Sequence, residues 1–164
     1  MRYDSAVSVL ALLACSGCLA ASSPPGSKVR IEDEYPDEVH ATLEAWTRIM
    51  GTPRGAQAVL DGDVLHGDQA AAHAMCWLVL PKQQLDGCSH SEDGKAMILI
   101  VDGRYRANPF VVEHEISHML AVFNGIKGGD GKHEDARIWS AEGVVHAAAA
   151  TLGHVVNVAA PEVT

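Results

Sequence analysis

Val39, Leu43, Trp46 and Ile49 recur at near-helical spacing and mark residues 36–50 as an amphipathic helix. Pro36 suits its first turn, and Gly51-Thr52-Pro53 stops it. From 56 to 101 the pattern turns strand-like or mixed. Residues 58–65 alternate around Asp61-Gly62, residues 75–80 are apolar and end at Pro81, and residues 83–95 are polar and read as a loop. The run AMILIV at 96–101 is the clearest strand, closed by Asp102-Gly103. A second helix is predicted over 109–123, with Asn108 as its cap, Pro109 at its first position and Asn124-Gly125 as its stop. A loop containing Gly125, Gly128, Gly129 and Gly131 follows, then a helix from about Asp135 to Leu152 and a short tail strand over 154–159. No internal repeat is visible.

The 164 residues favour one domain, and 48% hydrophobic with 20% charged residues is an ordinary globular composition. The formal net charge of −9, with no basic cluster, argues against nucleic-acid binding. No apolar run reaches the roughly 18 residues of a membrane span. Ile31 to Glu38 is dense in acid (Glu32, Asp33, Glu34, Asp37, Glu38) and reads as a solvated approach to the first helix.

Residues 1–14 have the layout of an export signal: Arg2, then the short apolar run AVSVLALLA. Cys15 directly follows Leu12-Leu13-Ala14, which resembles the lipobox of bacterial lipoproteins. The resemblance implies cleavage before Cys15, acylation of that residue and a lipid anchor in the bacterial envelope. Ser16 after the cysteine implies sorting to the outer membrane. Cys18 is the alternative lipid site, because lipidation of Cys15 leaves Cys18 as an odd thiol. Ser/Pro/Gly-rich sequence up to Ser27 makes residues 15–27 a tether and residues 28–164 the folded domain. Cys76 and Cys88 both fall in that domain and are expected to form a disulfide, as export permits.

The chemistry is concentrated at His114-Glu115-Ile116-Ser117-His118. Two histidines four apart lie on one helix face, close enough to share one Zn²⁺. Glu115 is then placed to take a proton from a water that the metal activates. The longer stretch from Val111 to Leu120 resembles the signature of the zincin (HExxH) metalloproteases, with uncharged residues between the ligands and Leu120 two after the second histidine. That resemblance implies a small zincin-like α+β domain. In it, a mixed sheet packs against the HExxH helix and a C-terminal helix, and the strand before that helix relates to an edge strand that aligns an extended peptide. It also implies a zinc-dependent peptidase with a peptide or protein substrate. A zinc amidase acting on cell-wall peptides would share the chemistry. The reading outside catalysis is an envelope lipoprotein that binds zinc or a protein partner on such a scaffold.

The third ligand stays open at this stage. The places where metzincins carry Gly and His hold Ala121 and Asn124. His133, beyond the glycines, is favoured over Glu142, Glu134 and Asp135. Arg137 and Tyr105 are weaker candidates to polarise a carbonyl. Trp77 and Trp139 are expected in the core, and His40 and His146 as packing or surface residues. His66, His73, His90 and His154 have no spacing that implies a site.

Overall fold

The apolar run at 96–101 is buried on both faces, and the chain is built around it. The computed structural model describes residues 29–31, 35–76, 84–127 and 131–154. Residues 1–14, the expected tether at 15–27 with Cys15 and Cys18, Trp77 and the expected strand at 154–159 (beyond His154) lie outside the described residues. Four strands, β1 (Val29–Ile31), β2 (Asp63–Gly67), β3 (Gly87–Glu92) and β4 (Lys95–Val101), form one sheet in the order β1-β2-β4-β3. The β2–β4 pair is parallel and the other two pairs are antiparallel, so the sheet is mixed. With helices packed on it, the fold is α+β, as expected.

Seven helices are described: α1 (Pro36–Met50), α2 (Ala56–Leu60), α3 (Gln69–Met75), α4 (Arg104–Ala107), α5 (Val111–Phe123), α6 (Ala136–Trp139) and α7 (Val144–Thr151). Ala96, Ile98 and Ile100 of β4 point into the main core with Trp46 of α1, Val112, Ile116 and Leu120 of α5, and Val144 and Ala148 of α7. Leu99 and Val101 point the other way, into a smaller core with Ala71 and Ala72 of α3, Leu85 and Cys88. A strand covered on both sides reads as a continuous apolar run, because alternation needs one wet face. Among the described residues no helix is long and apolar enough to cross a membrane.

Several expectations need correction. The polar stretch 83–95 is not a loop: it holds β3, paired with β4 from Gly87↔Ile100 to Glu92↔Lys95. Asp93 and Gly94 turn the chain with φ of 50° and 78°, the left-handed pair of a tight hairpin that Asp-Gly favours. Consequently β4 is interior and β3 is the edge strand. The strand-like reading of 58–65 gives way to helix α2 followed by β2. Helix α3 went unread, although Asp68 caps it by accepting from the Ala71 amide at 2.8 Å and its residues are largely alanine. Helix α5 starts at Val111, with Phe110 and not Asn108 at its cap. Asn108 instead closes α4 and gives its side-chain amide to Asp86. The single helix expected over 135–152 is two, because the backbone is extended at Ser140 and Gly143.

The edge strand is held at three points. The Gln69 amide donates to the Leu85 carbonyl at 2.5 Å and accepts from its N–H at 3.1 Å. Asp86 pairs with Arg104 at 3.3 Å and with Asn108. The Cys76–Cys88 disulfide joins the end of α3 to β3, as the sequence suggested. Replacing both cysteines by serine is expected to lower the free energy of unfolding by about 2–4 kcal/mol, read from urea denaturation against the oxidised wild type.

Candidate metal centre

Helix α5 belongs to the main core and also faces a cavity. Val112, Ile116 and Leu120 bury its inner face completely. His114, Glu115 and His118 turn toward a cavity of about 700 Å³, whose walls are β3 on one side and His133 on another. His114 and His118 stand one turn apart, with Nε2 atoms 3.1 Å from each other. His133, between the glycine loop and α6, brings its Nε2 to 3.2 Å from that of His118. The three imidazoles form one group able to hold a metal ion. These spacings match the roughly 3.3 Å between nitrogens that bind one tetrahedral ion at about 2.0–2.1 Å. The donor set therefore fits such an ion, and three protein ligands leave a fourth position for water or substrate.

His133 takes its place at some backbone cost, with φ of 56°, a left-handed conformation rare for a residue with a side chain. The other proposed third ligands are elsewhere. Glu142 is exposed in the turn between α6 and α7, and Glu134 is exposed beside His133. Asp135 caps α6 and binds the Arg137 guanidinium at 2.6 Å. None of the three belongs to the metal-competent group.

Burial pushes the His114 imidazole down to about 3, and the charges that His118 and His133 would carry push the same way. His114 is thus a neutral donor throughout the neutral range, as a ligand must be. Burial pushes the Glu115 carboxyl up to about 7; Ser89, whose hydroxyl donates to Oε2 at 3.0 Å, opposes this, and the nearby Asp86 adds to it. Glu115 is placed to exchange a proton near neutral pH.

Four residues of this site were missed from sequence. Ser89 holds Glu115 from β3. Asp86 anchors the start of that strand. Gly87 lets the strand lie against α5: a Cβ there would stand 3.0 Å from Val111 Cγ2 and 3.2 Å from Glu115 Cγ. Trp139, expected as plain core, sets its indole against all three histidines, with ring centroids 4.3–4.8 Å apart. The Asp93-Gly94 turn ahead of an apolar strand was the one signal that could have exposed β3 and with it the first three. Arg137 and Tyr105 do not line the cavity. Arg137 is bound to Asp135, and Tyr105 donates to Glu38 at 2.8 Å on another face of the core. His154 and His66 also have partners there: Glu113 at 2.7 Å and Tyr35 at 2.8 Å.

Compared with protein-family models, with curated proteins and with solved structures, the chain matches none.

Two outcomes follow from this geometry. Gly87→Ala is expected to push β3 off α5 and destabilise the protein by about 1–3 kcal/mol, measured by thermal unfolding. Uptake of a divalent cation near pH 7 should expel protons from Glu115. The raised carboxyl is partly protonated without the ion, and a positive charge in the site lowers its pKa again. Calorimetry in buffers of different ionisation enthalpy should show that release in the wild type, less of it in Glu115→Gln, and the difference vanishing above about pH 8.5, where Glu115 is already ionised.

Proposed function

We propose that this chain is a zinc-dependent peptidase with a zincin-like fold, exported and lipid-anchored at Cys15 in the bacterial envelope. The observation that carries the reading is the convergence of three imidazole nitrogens beside a buried carboxylate at the floor of one open cavity. Three imidazoles and an open fourth position are the donor set of a catalytic zinc site, where closed structural sites use four protein ligands. The disulfide agrees with an oxidising compartment, and the export and lipid signals rest on the N-terminal sequence.

His114, His118 and His133 would hold the zinc. Bound there, zinc supplies Lewis acidity toward a carbonyl and lowers the pKa of water. Glu115 accepts the proton of the attacking water, because the positive charge of the ion keeps its carboxyl ionised, and returns it to the leaving amine. Ser89 occupies Oε2 of Glu115, so Oε1 is the oxygen left to face the reactants. Strand β3 lies at the sheet edge and lines the cavity through Ser89, His90 and Ser91. Its backbone offers the ladder that an extended peptide needs to lie across the site.

The full chain, purified in detergent without a histidine tag, should carry about one zinc and lose it in His114→Ala. Glu115→Gln should keep the metal and lose a factor of about 10²–10⁴ in kcat on a peptide panel that includes cell-wall fragments. Equal rates for wild type and Glu115→Gln would leave a zinc-binding envelope lipoprotein without peptidase activity. Hydrolysis of the cell-wall fragments alone would narrow the substrate to that class.

A further inference from the structure

The three ligand rings share a fourth aromatic neighbour. The ring centroids of His114, His118 and His133 are 4.8–5.1 Å from one another, and that of Trp139 is 4.8, 4.5 and 4.3 Å from each in turn. The four rings make a near-regular cluster. The three histidines line the cavity, and the indole packs against all three of their rings. His133 is the ligand most in need of such backing. It is exposed, it belongs to no helix or strand, and its backbone is left-handed. Of the three rings His133 is the closest to Trp139, and the Trp139 backbone is held in place: its backbone N–H donates to the Asp135 carbonyl at 3.1 Å, and the preceding Ile138 is fully buried in the main core.

We infer that Trp139 is a positioning residue that holds His133 in ligand geometry before the metal arrives, by packing its indole against all three imidazoles. This rests on the metal-site reading above. It adds a role that the ligand set alone does not contain: a loop histidine becomes a pre-organised donor because a rigid aromatic plane from α6 defines where its ring can sit. Outer-shell groups that orient histidine ligands typically change metal affinity by about 10- to 100-fold when lost.

The test is zinc affinity of the full chain in detergent, by competition with a chromogenic chelator, with the visible spectrum of the Co²⁺ form as a geometric readout. Trp139→Ala should bind zinc about 10- to 100-fold more weakly and shift the Co²⁺ bands. Trp139→Phe, which restores an aromatic face, should recover most of the loss. In a His133→Ala background Trp139→Ala should add little, since the two act through one ligand. Unchanged zinc affinity and Co²⁺ spectrum in Trp139→Ala would overturn the inference and leave the metal site standing. If Trp139→Ala does not fold, Trp139→Leu takes its place, and an affinity equal to that of Trp139→Phe would overturn the inference equally. No zinc on the wild-type chain would instead overturn the metal site itself.

Discussion

Helix α5 is at once the centre of the core and the carrier of two of the three histidines able to hold a metal ion, and most of the structure answers to that double requirement. Its inner face supplies Val112, Ile116, Met119 and Leu120, all essentially inaccessible to water. Burying such a helix also buries polar side chains, because the hydrophobic arc does not span the full circle. Glu113, Glu115 and Ser117 are all inside. Each needs a partner in place of water. Ser117 returns its hydroxyl to the Glu113 carbonyl one turn back at 2.8 Å. Glu115 receives Ser89, and Glu113 receives His154. The carboxylates on the two sides of His114 are thereby given different tasks. Glu113 faces the interior and ties His154, three residues beyond α7, to α5. Glu115 lines the cavity and accepts the Ser89 hydroxyl from β3.

The same requirement explains why the edge strand is held so firmly. Strand β3 is polar, short and at the margin of the sheet, a combination that gives it little hydrophobic attachment of its own. Its position matters because Ser89 has to reach Glu115 and Gly87 has to clear Val111. The protein substitutes discrete links for a buried face: an amide pair from α3, an ion pair and an amide from α4 and its C-cap, and a disulfide. All three come from elements that flank the cavity, so the wall is fixed to its own frame.

On the reverse side of α5 a second polar group has no contact with the cavity. Tyr105 donates to Glu38, Tyr35 meets His66, and the Tyr35 and Tyr105 rings lie 5.3 Å apart. Burial and the neighbouring Glu38 push the Tyr105 phenol well above its usual range, so it stays a donor. This network joins α1, β2 and α4 through hydroxyl groups, and together with the His154–Glu113 pair on α5 it accounts for two histidines and two tyrosines without assigning them chemistry.

Much was legible in the sequence where a residue's role is set by its near neighbours. The bounds of α1 follow from apolar spacing and from Pro36 and Gly51. The strand at 96–101 follows from its apolar run. His114, Glu115 and His118 follow from helical geometry alone, since i and i+4 share a face in any helix, and His133 follows from ligand chemistry and a flexible approach. The export and lipidation expectations are likewise local readings, and they fall on the part of the chain outside the described residues. What tertiary structure decided is what depends on residues far apart in the chain. Only the pairing of β3 with β4 turns a polar stretch into a wall and moves 96–101 from the edge to the interior. Only packing brings Ser89 to Glu115 across 26 positions of sequence. Only the break at 140–143 ends α6 where Trp139 can meet three histidines instead of continuing a helix into solvent. Periodicity reports which face of an element is buried, and it carries no information about which distant element buries it.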